Sequence, residues 1–144
     1  MHKKYIFIIL SCFSLFLGGA VYLLYRENVI ISIFVEQFID LSRIRALRPF
    51  PESIFINGYL CDYLWMFSFT SSFAFLFYEE RRKWLAYTFN FLCGVFWEIA
   101  QLKSLVSGAF DFLDVLTYLT AVFSVVLIDK KLKEKKIWKR QKFY

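Results

Sequence analysis

The sequence predicts an all-α membrane protein: four transmembrane helices plus one amphipathic helix lying in the interface between the first and second spans. Three observations carry that expectation. The 144 residues are 59% hydrophobic and include 19 Phe, their mean hydropathy is +0.51, and the Lys and Arg residues gather at the ends of long apolar runs. A soluble domain has to present a polar surface, which this composition does not supply. A hydrocarbon core ~30 Å thick needs about 20 apolar residues per helix, so the chain accommodates four spans, short loops and no soluble domain. Residues 1–144 therefore read as one integral membrane domain.

The first span is expected at about 5–25, an unbroken apolar run behind Lys3 and Lys4. Its length and the spans that follow favour an uncleaved helix over a signal peptide ending near Gly18-Gly19-Ala20. From Glu27 to Glu52 the chain is mixed. Val29, Ile30, Ile33, Phe34 and Phe38 stand against Glu36, Asp40 and Arg43, which fall at i, i+4 and i+7. That pattern is an amphipathic helix lying in the interface, stopped by Pro49 and Pro51. Arg43, Arg45 and Arg48 are candidate contacts to lipid phosphate, since guanidinium forks suit phosphate oxygens, or simple interfacial anchors. The second span is expected at 54–78 with Asp62 inside it, and the third at 84–102 after the charged turn 79–83. The fourth is expected at 112–128, followed by a basic tail, 129–144, in which Asp129 has no expected role. A break at Ser107 and Gly108 separates the last two spans.

Orientation follows from the basic residues. With four spans, thirteen of the 18 Lys and Arg share the side of the two termini and the 79–83 turn, and five share the other. The positive-inside rule places both termini in the cytoplasm of a multi-pass plasma-membrane protein. The net charge of +6 is thus a matter of membrane orientation, and nucleic acid is not an expected partner. Cys12, Cys61 and Cys93 lie in apolar segments, which argues against a disulfide framework or a metal knuckle. His2 is the only histidine, so chemistry would rest on carboxylates. No phosphate loop, dinucleotide fingerprint or nucleophile paired with histidine is present.

The chemistry-bearing stretch is 90–118. Asn90, Gly94, Glu98 and Gln101 recur at helical spacing, as do Asp111, Asp114 and Tyr118, so each set forms a polar stripe. With the topology above, both stripes and Asp62 lie at the outer surface. An ionisable group within a span costs ~2.5–3.5 kcal/mol on insertion scales, so several at one level need a shared reason. Two readings fit: a proton-loading cluster, or a hard cation such as Mg²⁺ or Ca²⁺ held by oxygen ligands. A third makes Asp111 and Asp114 caps of the fourth helix while Glu98 reaches the headgroups. Trp65, Trp84 and Trp97 are expected to pack or to anchor at the interface.

Glu98-Ile-Ala-Gln101, a short Gly-containing turn and Phe110-Asp111-Phe-Leu-Asp114-Val115-Leu116 resemble the signature of the VanZ-like family. These are small polytopic bacterial membrane proteins named for a member associated with teicoplanin resistance. The similar region covers roughly the last half of the chain, with Asp62 to Trp65 adding a weaker match. Tyr118 stands where many members have Asn, and no Arg immediately precedes Asp111. The resemblance implies a cell-envelope setting and a site built from Glu98, Gln101, Asp111 and Asp114. With the residues' own chemistry it leads to three expectations: proton-coupled binding or movement of a lipid-linked or amphiphilic envelope component, a metal-assisted reaction on such a substrate, or a small assembly subunit whose polar stripe joins helices.

Overall fold

The computed structural model describes residues 3–25, 30–46, 48–49, 51, 53, 55–106 and 109–141. Among them every regular element is helical. These are α1 (Tyr5–Tyr25), α2 (Ile30–Glu36), α3 (Leu41–Arg45), a π-helical turn (Phe55–Leu60) continuing into α4 (Cys61–Leu76), α5 (Trp84–Leu102) and α6 (Phe112–Gln141). Two helical stretches, Tyr5–Tyr25 and Phe112–Lys133, are long and apolar enough to cross a membrane. The two middle segments expected to span are helical but fall short of that criterion for visible reasons. The α-helical part of α4 is 16 residues, begins after the π turn and carries Asp62 in its first turn. Helix α5 carries Asn90, Glu98 and Gln101 among its apolar residues.

Helix α4 sits at the centre, in contact with α1, α5 and α6. It runs antiparallel to α1. Tyr5 meets Phe75 at one end, with ring centroids 5.9 Å apart, and the Cys61 thiol lies 3.8 Å from the Gly18 carbonyl at the other. Between them the Ser11 hydroxyl donates to the Ser68 carbonyl at 2.9 Å and lies 2.7 Å from Ser72 Oγ. Ser11, Ser14 and Gly18 are all buried, a small-residue stripe that lets two helices approach closely. Helix α6 runs parallel to α4, with Tyr59 on Asp111 and Tyr63 on Ser124. It is antiparallel to α5, with Tyr118 on Glu98 and Lys83 on Asp129. Lys3, the 79–83 turn and the later half of α6 therefore gather at one end, where the Lys3 ammonium donates to the Leu132 carbonyl. The acidic residues of the 90–118 stretch gather at the other.

Two local readings need correction. The segment expected to form one amphipathic helix is two short helices, because Asp40 accepts the Ser42 amide at 3.1 Å and so caps a new helix, α3. Arg45 then folds the segment back: it bonds Glu36 at 2.7 Å and donates to the Leu23 carbonyl at 3.2 Å, covering one of the orphan carbonyls at the end of α1. Arg43 pairs with Asp40 at 3.2 Å, and the Arg48 guanidinium lies 5.5 Å from the Tyr25 ring centroid. Ile33, Phe34, Phe38 and Ile39 are left exposed.

The second correction concerns the expected tail. Helix α6 passes Ile128 unbroken, and Asp129, the first residue of the expected basic tail, is buried against Lys83. After α5 the chain turns at Ser104. Its φ is 53°, Ser104 N donates to the Gln101 carbonyl and Leu105 N to the Ala100 carbonyl, both at 2.9 Å. This is the paired closure of a Schellman motif, with serine where glycine is usual. Ser107 and Gly108 lie outside the described residues, as does His2.

Candidate functional site

Glu98 is the buried centre of the acidic end, with 1% of its surface exposed. It faces inward because Asn90, Gly94 and Glu98 follow helical spacing along the buried face of α5. The Tyr118 hydroxyl donates to Glu98 Oε1 at 2.9 Å, and the Asp111 amide approaches Oε2 at 3.4 Å. In the amide orientation its surroundings require, Gln101 donates to Glu98 Oε2 at 3.1 Å and to the Ala109 carbonyl at 3.2 Å, and accepts the Trp97 indole N–H at 3.1 Å. Gly94 makes the Tyr118 contact possible: a β-carbon there would lie 2.7 Å from Tyr118 Cδ2 and 2.7 Å from Met66 Cε.

Asp111 has two roles. Its Oδ1 accepts the Leu113 amide at 2.8 Å, capping α6, and its Oδ2 accepts the Tyr59 hydroxyl at 2.9 Å. Capping is thus real for Asp111, whereas Glu98 is buried and does not reach outward. Asp62 is the nearest charged neighbour of Asp114 across the α4–α6 contact, with Glu98 and Asp111 the next charges around it. The structure thus brings Glu98, Gln101, Asp111, Asp114 and Asp62 into one cluster. Tyr59 and Trp97 belong to it too, although sequence reasoning gave them no such role. Their signals were spacings of i, i+3 from Tyr59 to Asp62 and i, i+4 from Trp97 to Gln101.

Beside the cluster lies a cavity of about 640 Å³ lined by Tyr22, Asp62, Trp65, Met66, Phe69, Gly94, Trp97 and Tyr118. Among the described residues Asp62 is its only carboxylate. Glu98 borders it through Tyr118. No group of three or more His, Cys, Asp and Glu among the described residues is arranged to hold a metal ion.

At the opposite end Lys83 and Asp129 form an ion pair whose side chains are 12% and 8% exposed. Burial holds the Lys83 amine below the ordinary lysine range despite that partner, and the neighbouring Lys133 pushes it the same way.

The fold and the site define a class: a small helical bundle with four carboxyl groups and a tyrosine gathered at one end, against an aromatic cavity. No family model, no curated protein and no solved structure matches the chain.

Proposed function

We propose that the chain is a multi-pass protein of the bacterial plasma membrane that holds the head of an amphiphilic or lipid-linked envelope component beside Asp62 and couples its binding to proton release. In this reading it has four spans, α2 and α3 in the outer interface, and both termini cytoplasmic. The candidate windows of α1 and α6 are only 22% and 28% buried, and Phe13, Phe16, Phe96 and Phe123 point outward. So much uncovered apolar surface suits lipid, since soluble monomers rarely expose patches above a few hundred Å². The π turn and α4 together form a continuous helical rod of 6 and 16 residues. That rod and the 19 residues of α5 approach the ~30 Å of a bilayer core at ~1.5 Å per residue. On the spacing of Glu98, Gln101, Asp111 and Asp114 we place the chain beside the VanZ-like proteins.

One observation carries the functional reading: Asp62 lines the cavity and has Asp114 as its charged neighbour across the α4–α6 contact. Two neighbouring carboxylates out of bulk water repel when both are ionised, which favours a proton on one. A head that takes Asp62 as its partner competes for that arrangement, and ligand and proton are then linked. The Tyr22, Trp65 and Trp97 rings around one acid suit a head bearing an amine. A second reading, an assembly subunit with a purely structural polar stripe, draws on the way Glu98 satisfies both its oxygens within its own chain.

Proteoliposomes holding the full chain and titrated with a dansyl-labelled alkylamine separate the two. Ligand binding gives saturable energy transfer from tryptophan with a pH-dependent affinity, and Asp62→Asn removes the pH dependence. Absence of saturable transfer in the parent protein would leave the structural reading.

A further inference from the structure

A second cleft lies at the other end of the bundle. It runs between α5 and α6, has a volume of about 480 Å³, and is walled by Trp84, Phe91, Leu119, Val122 and Val126. Its mouth is polar, made by Arg81, Lys83, Tyr87 and Asp129. The walls follow from helical spacing, since Leu119, Val122, Val126 and Asp129 fall at i, i+3, i+7 and i+10, while Trp84, Tyr87 and Phe91 fall at i, i+3 and i+7. From Lys83 to Phe91 the apolar strip descends ~12 Å at ~1.5 Å per residue. It is a slot with a charged rim and a greasy floor.

Two polar atoms at the rim are buried and have no hydrogen-bond partner among the described residues. Tyr87 and Asp129 are each 6% exposed, and among those residues neither the Tyr87 hydroxyl nor Asp129 Oδ1 is bonded, although Asp129 Oδ2 holds the Lys83 ammonium. Buried polar atoms are rarely left unsatisfied, so an acceptor and a hydroxyl left open at one rim point to an occupant that supplies donors. Cations line this rim: Arg81 and Lys83 stand beside Asp129, and Lys133 lies against Lys83 and 6.0 Å from the Tyr78 ring centroid, with Glu79 the other acid near that ring. An anionic group is wanted beside the cations and a donor beside the open carboxylate oxygen.

We propose that this cleft binds a phospholipid whose head carries a hydrogen-bond donor beyond its phosphate. The phosphodiester lies against Arg81 and Lys83, the terminal ammonium or hydroxyl meets Asp129 Oδ1 and the Tyr87 hydroxyl, and one acyl chain follows Phe91, Val122 and Leu119. Guanidinium and ammonium groups are the usual partners of phosphate oxygens, and the volume lies in the range of small-ligand sites. Ethanolamine and glycerol heads share this chemistry. A choline head lacks the donor.

The test uses the full chain with Trp65, Trp97 and Trp138 replaced by Phe, so that Trp84 in the cleft wall reports alone. The protein is placed in phosphatidylcholine nanodiscs doped with a bromine-labelled phosphatidylethanolamine, phosphatidylglycerol or phosphatidylcholine. Quenching by the ethanolamine or glycerol lipid is expected at a several-fold lower mole fraction than by the choline lipid, and the two doped arms tell ammonium from hydroxyl. Tyr87→Phe and Asp129→Asn should each bring that preference toward the choline level, with Tyr87→Phe the conservative change if Asp129→Asn folds poorly. Asp62→Asn should leave it intact, which keeps this site distinct from the cavity at the other end. Equal quenching by all three lipids, or a preference that survives Tyr87→Phe, would overturn the proposal and leave an ordinary lipid-facing groove.

Discussion

Tyr118→Phe isolates the bond on which the acidic end is built. The ring and its packing are kept, so the change removes only the hydroxyl that donates to Glu98 Oε1 at 2.9 Å. With Glu98 1% exposed, water does not replace that donor, and an unsatisfied buried acceptor costs about 1–3 kcal/mol. Within a bilayer the unfolded reference also finds partners, and interhelical bonds there average about 0.6 and reach about 1.7 kcal/mol. The expected loss is therefore about 1–1.5 kcal/mol. Glu98→Gln should cost much less, within about 0.5 kcal/mol, because the amide nitrogen can donate to the Tyr118 oxygen while its carbonyl keeps the Gln101 and Asp111 donors. The assay is reversible unfolding by dodecyl sulfate in mixed micelles, followed by helicity, on a cycle of Tyr118→Phe and Glu98→Ala. In the Glu98→Ala background Tyr118→Phe should cost almost nothing. If it costs as much there as in the parent, or is neutral in both, the Tyr118–Glu98 bond does not hold α5 to α6.

Four further outcomes are expected. Gly94→Ala should destabilise by about 1–3 kcal/mol through overpacking. Met66 can move its flexible end but the Tyr118 ring cannot, so adding Met66→Ala should not restore stability in the same assay. Ser104→Gly should stabilise by about 0.5–1 kcal/mol, since glycine takes the positive φ of 53° without the β-carbon clash. The Ser42 hydroxyl and amide, with the Arg43 amide, hold the Asp40 carboxyl below its ordinary value of 3.8. A lowered folded value means that the cap's contribution is present at neutral pH and lost only as pH falls through that lower value. Amide exchange at Ser42 should therefore accelerate only below the usual carboxylate range. Reporter fusions after Lys83 and after Arg140 should both read cytoplasm, and an external signal at either would remove the four-span arrangement.

The same physics explains which features were legible. The bounds of α1 and α5, 5–25 and 84–102, could be read directly because apolar runs end where charge or turn chemistry begins, and that is local information. The inward face of α5 was legible too, since Asn90, Gly94 and Glu98 keep helical register and polar groups in an apolar helix have one affordable direction. The split of the interfacial segment was harder to see. Asp40 looked like part of a charged stripe at i, i+4, i+7, and its side chain instead took the Ser42 amide, a local competition that Asp at a cap tends to win.

Composition and periodicity alone thus determined that the described residues are helical, the bounds of α1 and α5, and that the carboxylates fall on stripes. Tertiary structure decided which stripes meet. Parallel α4 and α6 set Asp62 against Asp114 and Tyr59 on Asp111. Antiparallel α5 and α6 joined Tyr118 to Glu98 at one end and turned Asp129 from a tail residue into the buried partner of Lys83 at the other. Those pairings join residues 20 to 52 positions apart. Helical periodicity carries direction within one helix and nothing about which neighbour stands opposite, so only the packing of the helices could supply them.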